Sequence, residues 1–134
     1  MDIAYAHEPD LAAEAFIAVL HASGLAERRP VEDEPRIRRM LAQADLVVTA
    51  RIGGRLVGVS RALTDFAFCC YLSDLAVDRD FQGRSIGRQL IKETRRLAGP
   101  DAMCLLLSAP AAMDFYRRIG MPWADNAFLY PRGQ

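Results

Sequence analysis

The chain reads as a single α/β domain with a mixed central sheet flanked by about four helices. Three observations predict this. The runs "DLVVTARI" and "RLVGVSRAL" are strand-like and separated by Gly53-Gly54, a dipeptide that favours a tight hairpin. A third extended run, "FAFCCYLSDLAV", follows them as a meander and ends at Asp78. Beyond it, Ile86 to Ala98 has helical periodicity and leads into the continuous apolar run "AMCLLLS". Strand, helix, strand in that order predicts a crossover onto a parallel neighbour within one sheet.

The remaining elements follow in chain order. "DIAYA" alternates and predicts a first short strand. Asp10 to Ser23 places Leu11, Ala15, Ile17 (or Phe16), Val19 and Leu20 at helical spacing, and Gly24 is a natural stop. The polar stretch "ERRPVEDEP" is a proline-punctuated connection. Pro35 to Gln43 predicts a second helix with Ile37, Met40 and Leu41 on one face and Arg36, Arg38 and Arg39 on the other, a solvated face by the usual pattern. In Ile86–Ala98, Leu90, Ile91, Thr94 and Leu97 share the inner face, and Gly99-Pro100 ends the helix. Pro110 opens "AAMDFYRRIG", a helix closed by Gly120, and "AFLY" predicts a last short strand.

At 134 residues the chain supports one hydrophobic core, so residues 1–134 are read as one domain. Apolar residues make up 51% and charged residues 25%, the composition of a soluble globular protein. Formal net charge is zero, without the basic excess of a duplex nucleic-acid binder, so no nucleic acid is expected as a partner. The amino terminus "MDIAYAHEPD" lacks a basic n-region and an apolar h-region, and no apolar run approaches the ~20 residues of a membrane span. The expectation is a cytoplasmic protein without a membrane partner. Cys69, Cys70 and Cys104 show no metal-ligand spacing and read as small core residues, so no metal is expected. His7 and His21 read as surface residues.

The stretch "DFQGRSIGRQL" concentrates two glycines, two arginines and a serine at a helix entrance. Such a turn presents unpaired N–H groups and the positive end of the helix dipole. Glycine lets a phosphate approach the backbone, and Arg84 and Arg88 add charge-assisted bonds. The segment is neither GxGxxG nor a P-loop. On its own it reads first as an ordinary helix entrance and only second as a phosphate cradle.

"LAVDRDFQGRSIGRQLI" followed by "AAMDFYRRIGM" resembles the GNAT superfamily of N-acetyltransferases. The superfamily's pyrophosphate loop runs Gln/Arg-x-x-Gly-x-Gly/Ala. Gln82 matches its first position and Gly87 its last, while Ser85 stands where the central glycine is expected. Leu75-Ala76-Val77 matches the preceding strand, and Phe115-Tyr116 matches a second signature. Ala109 occupies a position that is often asparagine. The likeness covers Arg55 to Met121 well; the first two helices fit in order and length.

The resemblance implies a GNAT-type acyl-CoA N-acyltransferase fold and direct transfer from acetyl-CoA to an amine, on a small molecule or a protein. It implies that Gln82, Gly83, Arg84, Ser85, Ile86, Gly87 and Arg88 hold the pyrophosphate. Leu75, Ala76 and Val77 would pair with the pantetheine arm, and the Val77 amide, or a neighbour, would polarise the thioester carbonyl. Tyr116 is the candidate general acid for the departing thiolate, its alternative role being a core aromatic. Tyr71 and Ser73 face the substrate by alternation, and neither is a good base. A water chain is the first choice for that role and Asp74 the second, provided that a bulge re-aims it; otherwise Asp74 satisfies local donors. Family habit adds a homodimer. The runner-up is a non-catalytic acyl-CoA-binding or protein-interaction module on the same fold.

Overall fold

The structure is a computed structural model that describes residues 2–133. Its elements are β1 (Ile3–His7), α1 (Ala13–Ser23), α2 (Glu34–Gln43), β2 (Leu46–Ile52), β3 (Arg55–Thr64), β4 (Cys69–Val77), α3 (Ile86–Ala98), β5 (Met103–Leu105) and α4 (Met113–Arg118). Single 3-10 turns at Leu25–Arg28, Arg79–Phe81 and Pro110–Ala112 join them. The five strands lie in the order β1-β2-β3-β4-β5. Neighbours are antiparallel up to β4, and β5 returns parallel to β4 through α3.

The sheet is covered on both faces. Phe16, Leu20, Ile37 and Leu41 of α1 and α2 pack on Val47, Val59 and Ala76. On the other face Ile86 and Leu90 of α3 pack on Val48, Ala50 and Val57, and Ala98 joins Leu46, Ala62 and Cys70. Helix α3 lies close over Gly58, where an added Cβ would stand 3.0 Å from Leu90 Cδ1 and 3.2 Å from Ile86 Cγ2. Thr94 ties the same helix to β3 through a buried 2.7 Å hydrogen bond with Ser60. The adjacent cysteines point to opposite sides, with Cys70 buried and Cys69 exposed. Both histidines lie at the surface.

Helix stops fall where the glycines predict them: Gly24 caps α1 in the left-handed region, and Gly120 follows α4 with φ 75°. Gly53 and Gly54 both take positive φ in the β2–β3 turn. Asp33 caps α2 by accepting from the Arg36 amide at 3.2 Å.

Several boundaries differ from the sequence reading, among them α4, which starts at Met113 after a 3-10 turn at Pro110–Ala112. Helix α1 starts at Ala13, three residues after Asp10. β4 starts at Cys69, because Asp65 gathers the amides of Ala67, Phe68 and Cys69 on one carboxylate oxygen and turns the chain there. β5 keeps only Met103–Leu105 of "AMCLLLS". "AFLY" is no strand: Ala127–Tyr130 pairs with nothing among the described residues, and Phe128, Leu129 and Tyr130 are exposed. A strand needs a partner edge, and the three-residue β5 extends too little backbone to provide one.

Candidate active site

The site grows from a defect in β4. Arg61 of β3 pairs with Asp74 and Ala62 pairs with Leu72, which leaves Ser73 as an extra residue. This β-bulge shifts the alternation by one, so Asp74 moves to the sheet face that carries Arg61 and Tyr71. β5 pairs with β4 only from Cys69 to Tyr71. From Leu72 onward β4 has no neighbour on that side, and a gap opens between the two parallel strands.

Backbone groups line the gap. The Asp78 amide donates to Val57 O at 2.9 Å, which makes Gly58 and Val77 a non-hydrogen-bonded pair. The Val77 N–H and C=O therefore point away from β3 and into the gap. Leu75, two residues earlier, is oriented alike. Ala76 has the opposite orientation, with its side chain buried beneath α1 and its backbone turned toward Val59. Gln82 Nε2 donates to Val77 O at 3.1 Å, joining the strand end to the following loop.

In that loop Gly83 has φ 80° with open space beside it, and Ser85 has φ 61°, the left-handed conformation a glycine would adopt freely. The first helical bond of α3 runs from the Gln89 amide to Ser85 O at 3.0 Å. The amides of Gly83, Arg84, Ser85, Ile86, Gly87 and Arg88 have no protein acceptor among the described residues. The Ser85 side chain caps nothing. Arg84 and Arg55 lie over the Phe81 ring at 5.2 and 5.1 Å, which holds one cation beside the loop. Six unpaired donors, a helix N-terminus and a positioned guanidinium fit a pyrophosphate. Ile86 contributes its amide only, since its side chain is in the core.

Helix α4 closes the other wall. An added Cβ on Gly87 would stand 2.9 Å from Phe115 Cζ, so that glycine lets α4 dock on the start of α3. Phe115 meets Tyr116 edge to face at 5.0 Å. Burial raises the Tyr116 phenol above its usual 10, and the charge of Arg29 acts in the other direction.

Arg29 is one of two functional residues that sequence reasoning missed. It leaves the α1–α2 connection and donates to Asp74 Oδ1 at 2.5 Å and to the Ser73 carbonyl at 2.8 Å. Arg61 is the other, bonding Asp74 Oδ2 and donating to Ser73 Oγ at 3.0 Å. Asp74 is fully buried between them, and Tyr71 is half-exposed on the same face. The available signal was "ERRP", a basic pair inside the proline-punctuated connection. Nothing local linked it to Asp74.

A sheet split beside a run of unpaired amides, with helix α4 along the other wall, defines the candidate site. The chain matches the acetyltransferase (GNAT) family over residues 10–121 and belongs to that family. It is 34% identical over 86 residues to an uncharacterized N-acetyltransferase, ycf52, of Porphyra purpurea, an alignment covering 58% of this chain and 48% of that protein. The chain spans about half or less of the curated relatives it matches. A Staphylococcus aureus structure superposes with TM-score 0.77 at 18% identity, covering 98% and 99% of the two chains. An aminoglycoside N-acetyltransferase in complex with CoA superposes with TM-score 0.75 at 15% identity, covering 99% and 96%. These solved structures share the fold. No helix among the described residues is long and apolar enough to cross a membrane.

Proposed function

We propose that the chain is an acetyl-CoA-dependent N-acetyltransferase that moves the acetyl group to a primary amine by direct attack in a ternary complex. The observation that carries this reading is the run of unpaired amides from Gly83 to Arg88 beside the open edge of β4. Acetyl-CoA supplies an acyl group activated as a thioester. The loop amides, with Arg84 and Arg88, bind its pyrophosphate, and Leu75 and Val77 offer main-chain partners to its pantetheine arm. The Val77 N–H meets the thioester oxygen, where negative charge develops. As the C–N bond forms and the C–S bond breaks, Tyr116 Oη delivers the proton that the departing thiolate takes up.

The amine's own proton leaves through a water chain. Asp74 serves that role poorly, because both carboxylate oxygens are held by guanidiniums inside the protein. The same pair of arginines disfavours a positively charged nucleophile, so the amine binds in its neutral form. Two copies form a dimer in the cytoplasm, and the exposed apolar side chains after Met121 support that assembly.

Acetyl-CoA titration tests the reading. Saturating ligand raises Tm by several degrees through its selective binding to the folded state. Release of CoA is then followed across a broad amine panel. An absent Tm shift overturns the reading, and binding without turnover on any amine favours the non-catalytic module.

A further inference from the structure

Two guanidiniums share one carboxylate at the β4 bulge, and no other carboxylate among the described residues pairs with either. The cluster therefore carries one surplus positive charge. Asp74 is fully closed in and Arg61 keeps 8% of its side chain exposed, while Arg29 keeps 19%. The surplus charge thus opens to solvent at Arg29. An uncompensated charge withdrawn from water is destabilising, and an anion beside it would offset that charge.

Arg29 is equipped to receive one. Its guanidinium has five N–H donors. Three are used, on Asp74 Oδ1, on the Arg28 carbonyl at 2.8 Å and on the Ser73 carbonyl at 2.8 Å. Two remain on the terminal nitrogens. The group bonds the Ser73 carbonyl at the bulge, two residues beyond Tyr71, where the pairing of β4 with β5 ends, and its charge also acts on the Tyr116 phenol. A second cation adjoins the same connection: Arg79 lies across Gly24, where an added Cβ would stand 2.2 Å from Arg79 Nη2. Arg79 has no carboxylate partner among the described residues. Arg29, which shares its one carboxylate with Arg61, and Arg79, which has none, thus both adjoin the α1–α2 connection.

We propose that the acceptor is an amino carboxylate, whose carboxylate pairs with the free edge of Arg29 while its amine reaches the acetyl group. The planar fork of the guanidinium matches a carboxylate, and the pairing offsets the surplus charge of the cluster. This inference rests on the acetyltransferase reading for its second half, the position of the amine, but its first half is tested by binding alone.

The experiment is calorimetric titration of the CoA-saturated protein with α-, β- and γ-amino carboxylates, each beside its own primary amide. At least one carboxylate binds tenfold or more tightly than its amide. Arg29→Gln abolishes that preference while the affinity for CoA stays within twofold. The variant leaves Asp74 and Arg61 as a one-to-one pair, so the fold is kept; Arg29→Lys, which retains charge without the fork, serves as a second variant. Equal binding of acids and amides across the series overturns the inference, as does a preference that survives Arg29→Gln. Failure of the acetyltransferase reading looks different: carboxylate preference persists, with no acetyl transfer to the compound that binds.

Discussion

Ser85 is held in a conformation that a side chain resists. A left-handed backbone costs an L-residue about 1–2 kcal/mol, against about 0.5–1 kcal/mol of extra unfolded-state entropy for glycine. Its hydroxyl, bonded to nothing in the protein, is free for a phosphate oxygen. Ser85→Gly is therefore expected to raise the Tm of the free protein by a few degrees and to weaken acetyl-CoA three- to tenfold. Unchanged affinity, read by calorimetry, would show that the serine only fills the place of a glycine. Tyr116 is tested separately. Tyr116→Phe keeps the edge-to-face packing on Phe115 and removes the proton, so kcat falls about 100-fold or more while the Kd for acetyl-CoA is unchanged. Because burial raises the phenol above 10, wild-type kcat shows no alkaline decline from this group up to about pH 9.

At the scale of elements, the β3–β4 hairpin sets where the bulge falls. Asp65 closes it with three backbone N–H donors, which pull its carboxyl down from 3.8 to about 2. A carboxyl depressed on folding stabilises above its unfolded pKa and loses that contribution as pH falls through the folded value. Asp65→Ala thus lowers Tm near neutrality, and its deficit relative to wild type closes as the pH drops from about 4 to about 2. A deficit that stays constant across thermal melts in that range would assign the loss to the turn backbone instead. The bulge has a second consequence. It turns Asp74 toward Arg29, so one extra residue in a strand joins the α1–α2 connection to the centre of the sheet.

For the whole molecule, the exposed tail is the clearest test of assembly. Trp123, Phe128, Leu129 and Tyr130 bury little against the rest of the chain. Deleting residues 123–133 is expected to convert a dimer to a monomer in sedimentation and to leave Tm almost unchanged. A monomeric full chain would remove the dimer from the proposal. The order of strands and helices was legible up to α4, because periodicity, glycine stops and the Gly53-Gly54 turn are local. Helix α3 was read with both boundaries as observed, since its apolar face and Gly99-Pro100 leave no competing register. The loop from Gln82 to Arg88 was legible as a helix entrance for the same reason, since glycines, arginines and a helix start are neighbours in the chain; its role as a phosphate cradle was suggested only by the flanking motifs and is part of the proposal. "AFLY" misled because its residues favour a strand, while strand formation depends on an edge located elsewhere. The tertiary structure alone decided that Ser73 bulges, that Asp74 is consumed by two arginines and that Arg29 reaches across to the bulge. The two pairs on Asp74 join residues 13 and 45 positions apart, and their geometry follows from sheet register and packing, which no local pattern encodes.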